Sequence, residues 1–253
     1  MKVTFLGTGT SQGVPVIACK CKVCLSKNEK DKRLRSSVLI EINNNTFAID
    51  AGPDFRQQML RQSVENLNAI ILTHEHKDHI AGLDDVRAFN YIQKKAMNIY
   101  GNEKTLETIK LEFPYVFAED KYPGIPKMNL HQINNNAFNI NGIGFIPIHL
   151  LHHKLPVLGY RIKNFAYITD TNFIPDNEFD KLKNLKVLVI NALRKKKHVS
   201  HFNLSEALEV IEKIKPEKAY LNHISHMMGL HSDVEKELPE NVHIAYDGLQ
   251  ITI

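Results

Sequence analysis

Cysteine is scarce in this chain of 253 residues: there are three, all within Cys19-Lys20-Cys21-Lys22-Val23-Cys24. An odd number of neighbouring thiols cannot pair off completely, which excludes a disulfide-stapled scaffold as the source of stability. No run of roughly 18 apolar residues occurs, which excludes a bilayer-spanning apolar helix. The apolar stretch in Met1-Lys2-Val3-Thr4-Phe5-Leu6-Gly7 is too short for a signal peptide. With 12 glycines and 10 prolines there is no fibrous or low-complexity signal, no segment composed as a linker, and no repeat at a fixed period. These absences set the expectation of a cytoplasmic protein without a membrane partner, forming one domain over residues 1–253.

The formal charge of +4 permits an anionic substrate without implying a nucleic-acid partner. Hydrophobic residues make up 43% of the chain and charged ones 24%, enough for a packed core. β-rich runs recur at 2–6, 38–42, 46–50, 68–72, 145–148, 158–162, 166–169, 187–190, 218–221 and 250–253. Asn43-Asn44-Asn45 between two of them reads as a hairpin turn. Amphipathic helical patterns cover 54–61, 79–93, 104–112, 176–182 and 204–214, the last capped by Ser205 and stopped by Lys215-Pro216. Residues 113–128 read as a loose loop near a site mouth. A two-sheet sandwich with outer helices fits this order.

Histidine is plentiful, with 13 copies, and its pattern carries the chemistry. Thr73-His74-Glu75-His76-Lys77-Asp78-His79 reads HxHxDH directly after the apolar run 68–72. Imidazole nitrogens and a carboxylate oxygen at this spacing suit zinc, manganese or iron, held against a rigid strand end. One loop offers too few donors, so partners are needed from elsewhere. His152, Asp170 and His223 each end a β-rich run. His153 leaves a one-residue ambiguity, and the distance to Gly159-Tyr160 favours His152. A lone strand-end Asp or His is ordinarily a turn or surface residue; the unmet coordination of HxHxDH reverses that reading.

HxHxDH with His152, Asp170 and His223 resembles the metallo-β-lactamase-fold superfamily of hydrolases over nearly the whole chain. The resemblance implies an α+β fold, an αββα sandwich of two mixed β-sheets flanked by helices. It also implies a dinuclear site: His74, His76 and His152 holding one metal, Asp78, His79 and His223 the other, and Asp170 bridging. Two such cations deprotonate a bridging water near neutral pH and stabilise charge on a phosphoryl or carbonyl oxygen. Asp50 matches an aspartate that braces the ligand loop in that superfamily; a strand-end turn explains it equally well on its own.

CxCxxC in a cytoplasmic chain reads as a structural zinc site lacking its fourth donor, against the alternative of three reduced thiols in a loop. Gly7-Thr8-Gly9-Thr10-Ser11-Gln12-Gly13 lacks the GK[ST] ending of a phosphate loop. Together with Val14-Pro15-Val16, CxCxxC and Asn222-His223-Ile224-Ser225-His226, it resembles the cyclic phosphodiesterase branch of the superfamily, typified by the enzyme that opens phosphoribosyl 1,2-cyclic phosphate. That likeness implies that His226 completes a zinc site with Cys19, Cys21 and Cys24, and that His201 is the general acid for the leaving alkoxide, with His198 as the alternative. The expected cofactors are two catalytic divalent metals, Mn²⁺ or Zn²⁺, and one structural Zn²⁺. The expected partner is a small phosphodiester, with no stable nucleic-acid partner and a homodimer left open.

Arg194-Lys195-Lys196-Lys197 either guides an anion or is a solvated basic loop. Arg87 either holds a phosphate or pairs with Asp84 or Asp85. A tRNA 3′-processing endonuclease of the same fold is an alternative, against which stands the want of a Gly- and Pro-rich arm. A lactonase or thioesterase is a third reading, since the same metal chemistry attacks carbonyls. A non-enzymatic metal-binding scaffold is disfavoured because all seven catalytic ligands are present.

Overall fold

The computed structural model describes residues 1–120 and 122–253. Among the described residues, fourteen strands form two sheets of seven. The first contains β1 (Lys2–Gly7), β2 (Ser37–Ile42), β3 (Asn45–Ile49), β4 (Ala69–Ile71), β5 (Met97–Gly101) and β6 (Met128–Gln132). The second contains β7 (Phe138–Ile140), β8 (Ile143–His152), β9 (Leu155–Ile162), β10 (Phe165–Tyr167), β11 (Val187–Asn191), β12 (Lys218–Asn222) and β13 (Val242–Ile244), while β14 (Gln250–Thr252) returns to the edge of the first. In each sheet antiparallel pairs meet parallel ones, at β3 in the first and at β10 in the second. Both sheets are therefore mixed, as the sequence predicts.

Two positive-φ residues, Asn43 (47°) and Asn44 (59°), close the β2–β3 hairpin. Such a turn matches the twist of the flanking strands, and asparagine tolerates it at low cost. Strand alternation divides the apolar residues into three layers. Phe5, Ile40, Phe47, Ile71, Phe145, Tyr160, Tyr167 and Val189 pack between the sheets, with Phe47 and Phe145 edge-to-face at 5.3 Å. Leu6, Leu39, Ile70 and Ile99 face outward beneath Phe55, Met59 and Phe89, while Leu150, Ile168, Leu188 and Leu221 face Ala207 and Ile211. Each outer layer needs helices to cover it, which produces the αββα order.

Those helices are α1 (Phe55–Arg61), α2 (Lys77–Ile80), α3 (Val86–Gln93), α4 (Glu103–Glu112), α5 (Pro114–Phe117), α6 (Leu204–Ile214) and α7 (His231–Glu235). None described is long and apolar enough to cross a membrane. Three expectations are corrected. The helix predicted over 79–93 is broken into α2, a 3₁₀ turn at Leu83–Asp85 and α3. Gly82 sits at the break, where an added Cβ would lie 2.0 Å from the Gly52 carbonyl oxygen. Asp176–Leu182 is a 3₁₀ helix rather than an α-helix. Finally, α6 is capped by Asn203, whose side chain accepts from Glu206 N while Glu206 reaches back to Asn203 N, so Ser205 is already inside the helix. The segment 113–128 contains α5; residue 121 lies outside the described residues.

Candidate metal centres

The candidate donors sit at strand ends on one edge of the sandwich. β4 leads into His74 and His76, α2 carries Asp78 and His79, β8 ends on His152, Asp170 lies just beyond β10, and His223 just beyond β12. Asp50, Asp170 and His223 adopt left-handed backbone conformations, with φ of 65°, 50° and 56°. Each costs a non-glycine residue about 1–2 kcal/mol. Glycine would relieve that strain, but only a side chain reaches the common point. Gly52 is fixed by the opposite need: a Cβ there would lie 1.9 Å from the Asp78 carbonyl oxygen, because Ala51 N bonds His79 O at 2.8 Å and draws the chains together.

The donor atoms of Asp78, His79, Asp170 and His223 lie within 4.8 Å of one another, and all four residues are buried. Asp170 is central. Its Oδ2 lies 2.5 Å from His79 Nε2 and 3.9 Å from His74 Nε2, and its Oδ1 lies 2.8 Å from His223 Nε2. His74, His76 and His152 form a looser group, with ring centres 4.6 Å (His74–His76), 5.2 Å (His76–His152) and 6.0 Å (His74–His152) apart. His152 turns towards this group, whereas exposed His153 turns the hairpin at φ 58°. Burial pushes the His74 imidazolium well below the ordinary range. His79 is held well above it against the same burial, by the Asp78, Asp50 and Asp170 carboxylates. Asp170 is likewise held low against burial by His223 and His79.

Hydrogen bonds behind the ring fix which nitrogen faces inward. His79 Nδ1 donates to Asp50 Oδ2 at 2.7 Å, and His152 Nδ1 donates to the Ser200 carbonyl oxygen at 2.7 Å. Thr73 Oγ1 donates to Asp50 and faces His74 Nδ1 at 3.0 Å, and Ser36 Oγ faces His223 Nδ1 at 3.1 Å. Nε2 is thereby left free in each of these four, the arrangement seen behind metal-binding imidazoles. Among the buried side-chain atoms without a hydrogen bond are His74 Nε2, His79 Nε2 and Asp170 Oδ2. An unsatisfied buried polar atom costs about 1–3 kcal/mol, and this nitrogen and carboxylate donor set suits divalent cations. The residues gathered at Asp170 fit a divalent metal.

The second cluster joins Cys19, Cys21, Cys24 and His226. The three sulfurs lie 3.3, 3.4 and 3.5 Å from His226 Nδ1. Zn–S and Zn–N bonds in tetrahedral geometry put sulfur and nitrogen about 3.6 Å apart, so the cradle fits zinc. The Cys24 backbone N–H pulls the Cys21 thiol down to about 6, while burial pushes Cys24 up to about 11.

His201 is 8% exposed. Its ring centre lies 4.4 Å from His152 and 5.0 Å from His223, and its Nδ1 lies 3.3 Å from Asp170 Oδ1. Burial pushes its pKa down to about 3, against the Asp170 charge. His198 lies farther out, its ring centre 5.2 Å from His201, with Nδ1 accepting from Ser200 N. The basic run holds its own loop: Arg194 donates to the carbonyl oxygens of Lys196 and Lys197, Lys195 pairs with Glu237, and Lys197 lies 3.8 Å from Glu206. Arg87 pairs with Asp84, which also accepts from Tyr115. Ser36, Thr73 and Ser200 did not stand out in the sequence, since serine and threonine carry no spacing signature. Gly7 and Gly9 serve packing instead of a phosphate: a Cβ on Gly7 would lie 1.9 Å from Arg35 O.

A family model described as a beta-lactamase superfamily domain matches residues 45–224. An octanoyltransferase of Porphyromonas gingivalis is 38% identical over 256 residues, covering 100% of this chain and 52% of that protein. A ribonuclease Z of Staphylococcus saprophyticus is 25% identical over 215 residues, covering 76% of this chain and 62% of that protein. The chain thus spans about half to three-fifths of the length of these curated relatives. A crystal structure of a new diphosphatase from the PhnP family superposes with a TM-score of 0.93 at 38% identity, covering 99% of this chain and 96% of that one.

Proposed function

The chain belongs to the metallo-β-lactamase-fold superfamily, which has hydrolase members, and from that premise we propose that it is a two-metal hydrolase opening a small cyclic phosphodiester of the phosphoribosyl 1,2-cyclic phosphate type. The observation that carries this reading is the convergence of donors from both sheets on Asp170, with buried atoms that no hydrogen bond satisfies. Likeness to a PhnP-family structure over 99% of the chain supports phosphorus chemistry over carbonyl chemistry.

In this reading His74, His76 and His152 hold one ion, Asp78, His79 and His223 the other, and Asp170 is shared. Cys19, Cys21, Cys24 and His226 hold structural Zn²⁺. Bound Mn²⁺ or Zn²⁺ supplies water activation and charge stabilisation at the phosphoryl oxygens. Asp50 keeps His79 and, through Thr73, His74 in register. His201 gives a proton to the departing oxygen, because an alkoxide leaves poorly at neutral pH; burial holds its pKa down at about 3, so this role requires the anionic phosphodiester beside the ring to favour the imidazolium. The substrate in this reading is small, and the protein acts in the cytoplasm without a nucleic-acid partner.

A second reading, hydrolysis of an organic diphosphate, is favoured by the diphosphatase at 38% identity. A screen of cyclic phosphodiesters, linear diesters and organic diphosphates with Mn²⁺ or Zn²⁺ separates the two. We expect turnover of a five-membered cyclic phosphate to exceed that of any diphosphate. The reverse order establishes the second reading, and no turnover of any class by fully metal-loaded protein removes both.

A further inference from the structure

Ser36 lies immediately before β2 and is 1% exposed. Its Oγ is 2.9 Å from the Gly9 carbonyl oxygen and 3.1 Å from Nδ1 of His223. A hydroxyl has one hydrogen, and a carbonyl oxygen can only accept. Donating to Gly9 commits that hydrogen, so Oγ accepts from Nδ1–H of His223. The imidazole is then held as the tautomer whose Nε2 lone pair points towards Asp170, 2.8 Å away.

The carbonyl at the far end of this chain of bonds is itself fixed. Gly9 N donates to Leu34 O at 2.8 Å, and Gly9 bridges both Arg35 and Ile224. A Cβ at Gly9 would lie 2.9 Å from both Arg33 O and Arg33 Cβ, so only glycine lets the three segments meet so closely. The next residue, Ser37, donates from Oγ to the carbonyl oxygen of Asp50 at 2.9 Å. Successive strand residues point to opposite faces, so this serine pair grips the His223 side and the Asp50 side of the site at once. His152 donates its corresponding bond to a backbone carbonyl that no side-chain change removes. Among the described residues, Ser36 is the one hydrogen-bond partner of His223 Nδ1.

We infer that Ser36 is a positioning residue that selects the His223 tautomer and thereby sets the affinity of the ion shared by Asp78, His79 and His223. This inference rests on the ligand role proposed for His223. The test uses the full chain with Ser36→Ala, Ser36→Thr and His223→Ala, titrated with Zn²⁺ against a chelator, alongside imidazole ¹⁵N spectra of the metal-free protein.

Losing such a supporting bond typically weakens metal binding about 10- to 100-fold. Ser36→Ala is expected to show that loss for one ion only, with the other catalytic ion and the cysteine zinc unchanged and the exchange-protected Nδ1–H signal of His223 gone. Ser36→Thr, which keeps the hydroxyl, is expected to restore both. Equal weakening of every ion, or unchanged affinity with a lower melting temperature, overturns the inference and leaves Ser36 a packing residue. If His223→Ala retains the full metal complement, the ligand reading beneath it fails instead, and the protected Nδ1–H signal still reports whether Ser36 sets the tautomer.

Discussion

His201 stands beside three candidate ligands, His152, His223 and Asp170, yet is set apart by its neighbourhood. A proton donor matters only where the leaving oxygen is basic. His201→Ala is therefore expected to lower the rate by about 10²–10⁴ for a cyclic or alkyl phosphodiester, and by far less for a p-nitrophenyl ester, whose phenolate departs unaided. Equal losses on both substrates, measured as kcat at saturating metal, would assign His201 a purely structural role. Candidate donors such as His74, His152, Asp170 and His223 were readable in the sequence because each follows a β-rich run, whereas His201 and His226 were implied only by the resemblance to the cyclic phosphodiesterase branch. Ser36 was not readable, since its partner is 187 positions away and only the folded sheet brings them together. The strained φ values of Asp170 and His223 were equally hidden, because the chain does not announce where a side chain overrides backbone preference.

The long strands and α4 were readable from their periodicity, and the lapses have local causes. The strands β6 and β7 lie at sheet edges, where their inward positions Met128, Leu130 and Phe138 are themselves only half-buried beside exposed Asn129 and Asn139, which weakens the apolar signal. The single helix predicted over 79–93 matched the apolar stripe, but the stripe continues across Gly82, where contact with Gly52 forces the chain to turn. At α6 the pattern located the helix, while its start depends on a reciprocal bond pair, Asn203 Oδ1 with Glu206 N at 2.9 Å and Glu206 Oε2 with Asn203 N at 3.0 Å. Asn203→Ala removes the cap, itself 9% exposed, and leaves the Glu206 N–H without its acceptor. A loss of roughly 1 kcal/mol is expected, equivalent to a melting point lower by about 2–4 °C for a chain of this size. Ser205→Ala, beyond the cap, is expected to change the midpoint little; calorimetry on the two variants decides between the positions.

The N-terminal third is tied to the last third at several places, and two of them make different demands on solution conditions. At the first, buried Arg33 donates to Thr8 and to the Ala245 carbonyl and lies 3.3 Å from His231 Nδ1. Burial, then Arg33 and Lys30, push the His231 pKa down to about 4. An unfolded histidine titrates near 6.5, so between about pH 6.5 and 4 the unfolded chain binds the extra proton and the folded one does not. Stability is full above 6.5 and falls as pH drops towards 4; His231→Gln is expected to flatten that slope in denaturant midpoints taken across the window, and an unchanged slope would exclude His231 as its source. At the second place Cys19, Cys21 and Cys24 face His226, the Cys24–His226 contact closing a span of 202 residues. A cross-link of this length restricts the unfolded chain by at most about 5 kcal/mol in the chain-entropy treatment, and in the reading proposed above a zinc ion held by the three cysteines and His226 supplies it. Cys21→Ala is thus expected to lower bound zinc by one equivalent and the melting temperature by several degrees, while the ions near Asp170 stay bound. His226 is three residues from His223, so the same variant also tests independence. Loss of all metals together would mean that the loop holds both centres jointly, and an unchanged zinc content would remove the cysteine site altogether.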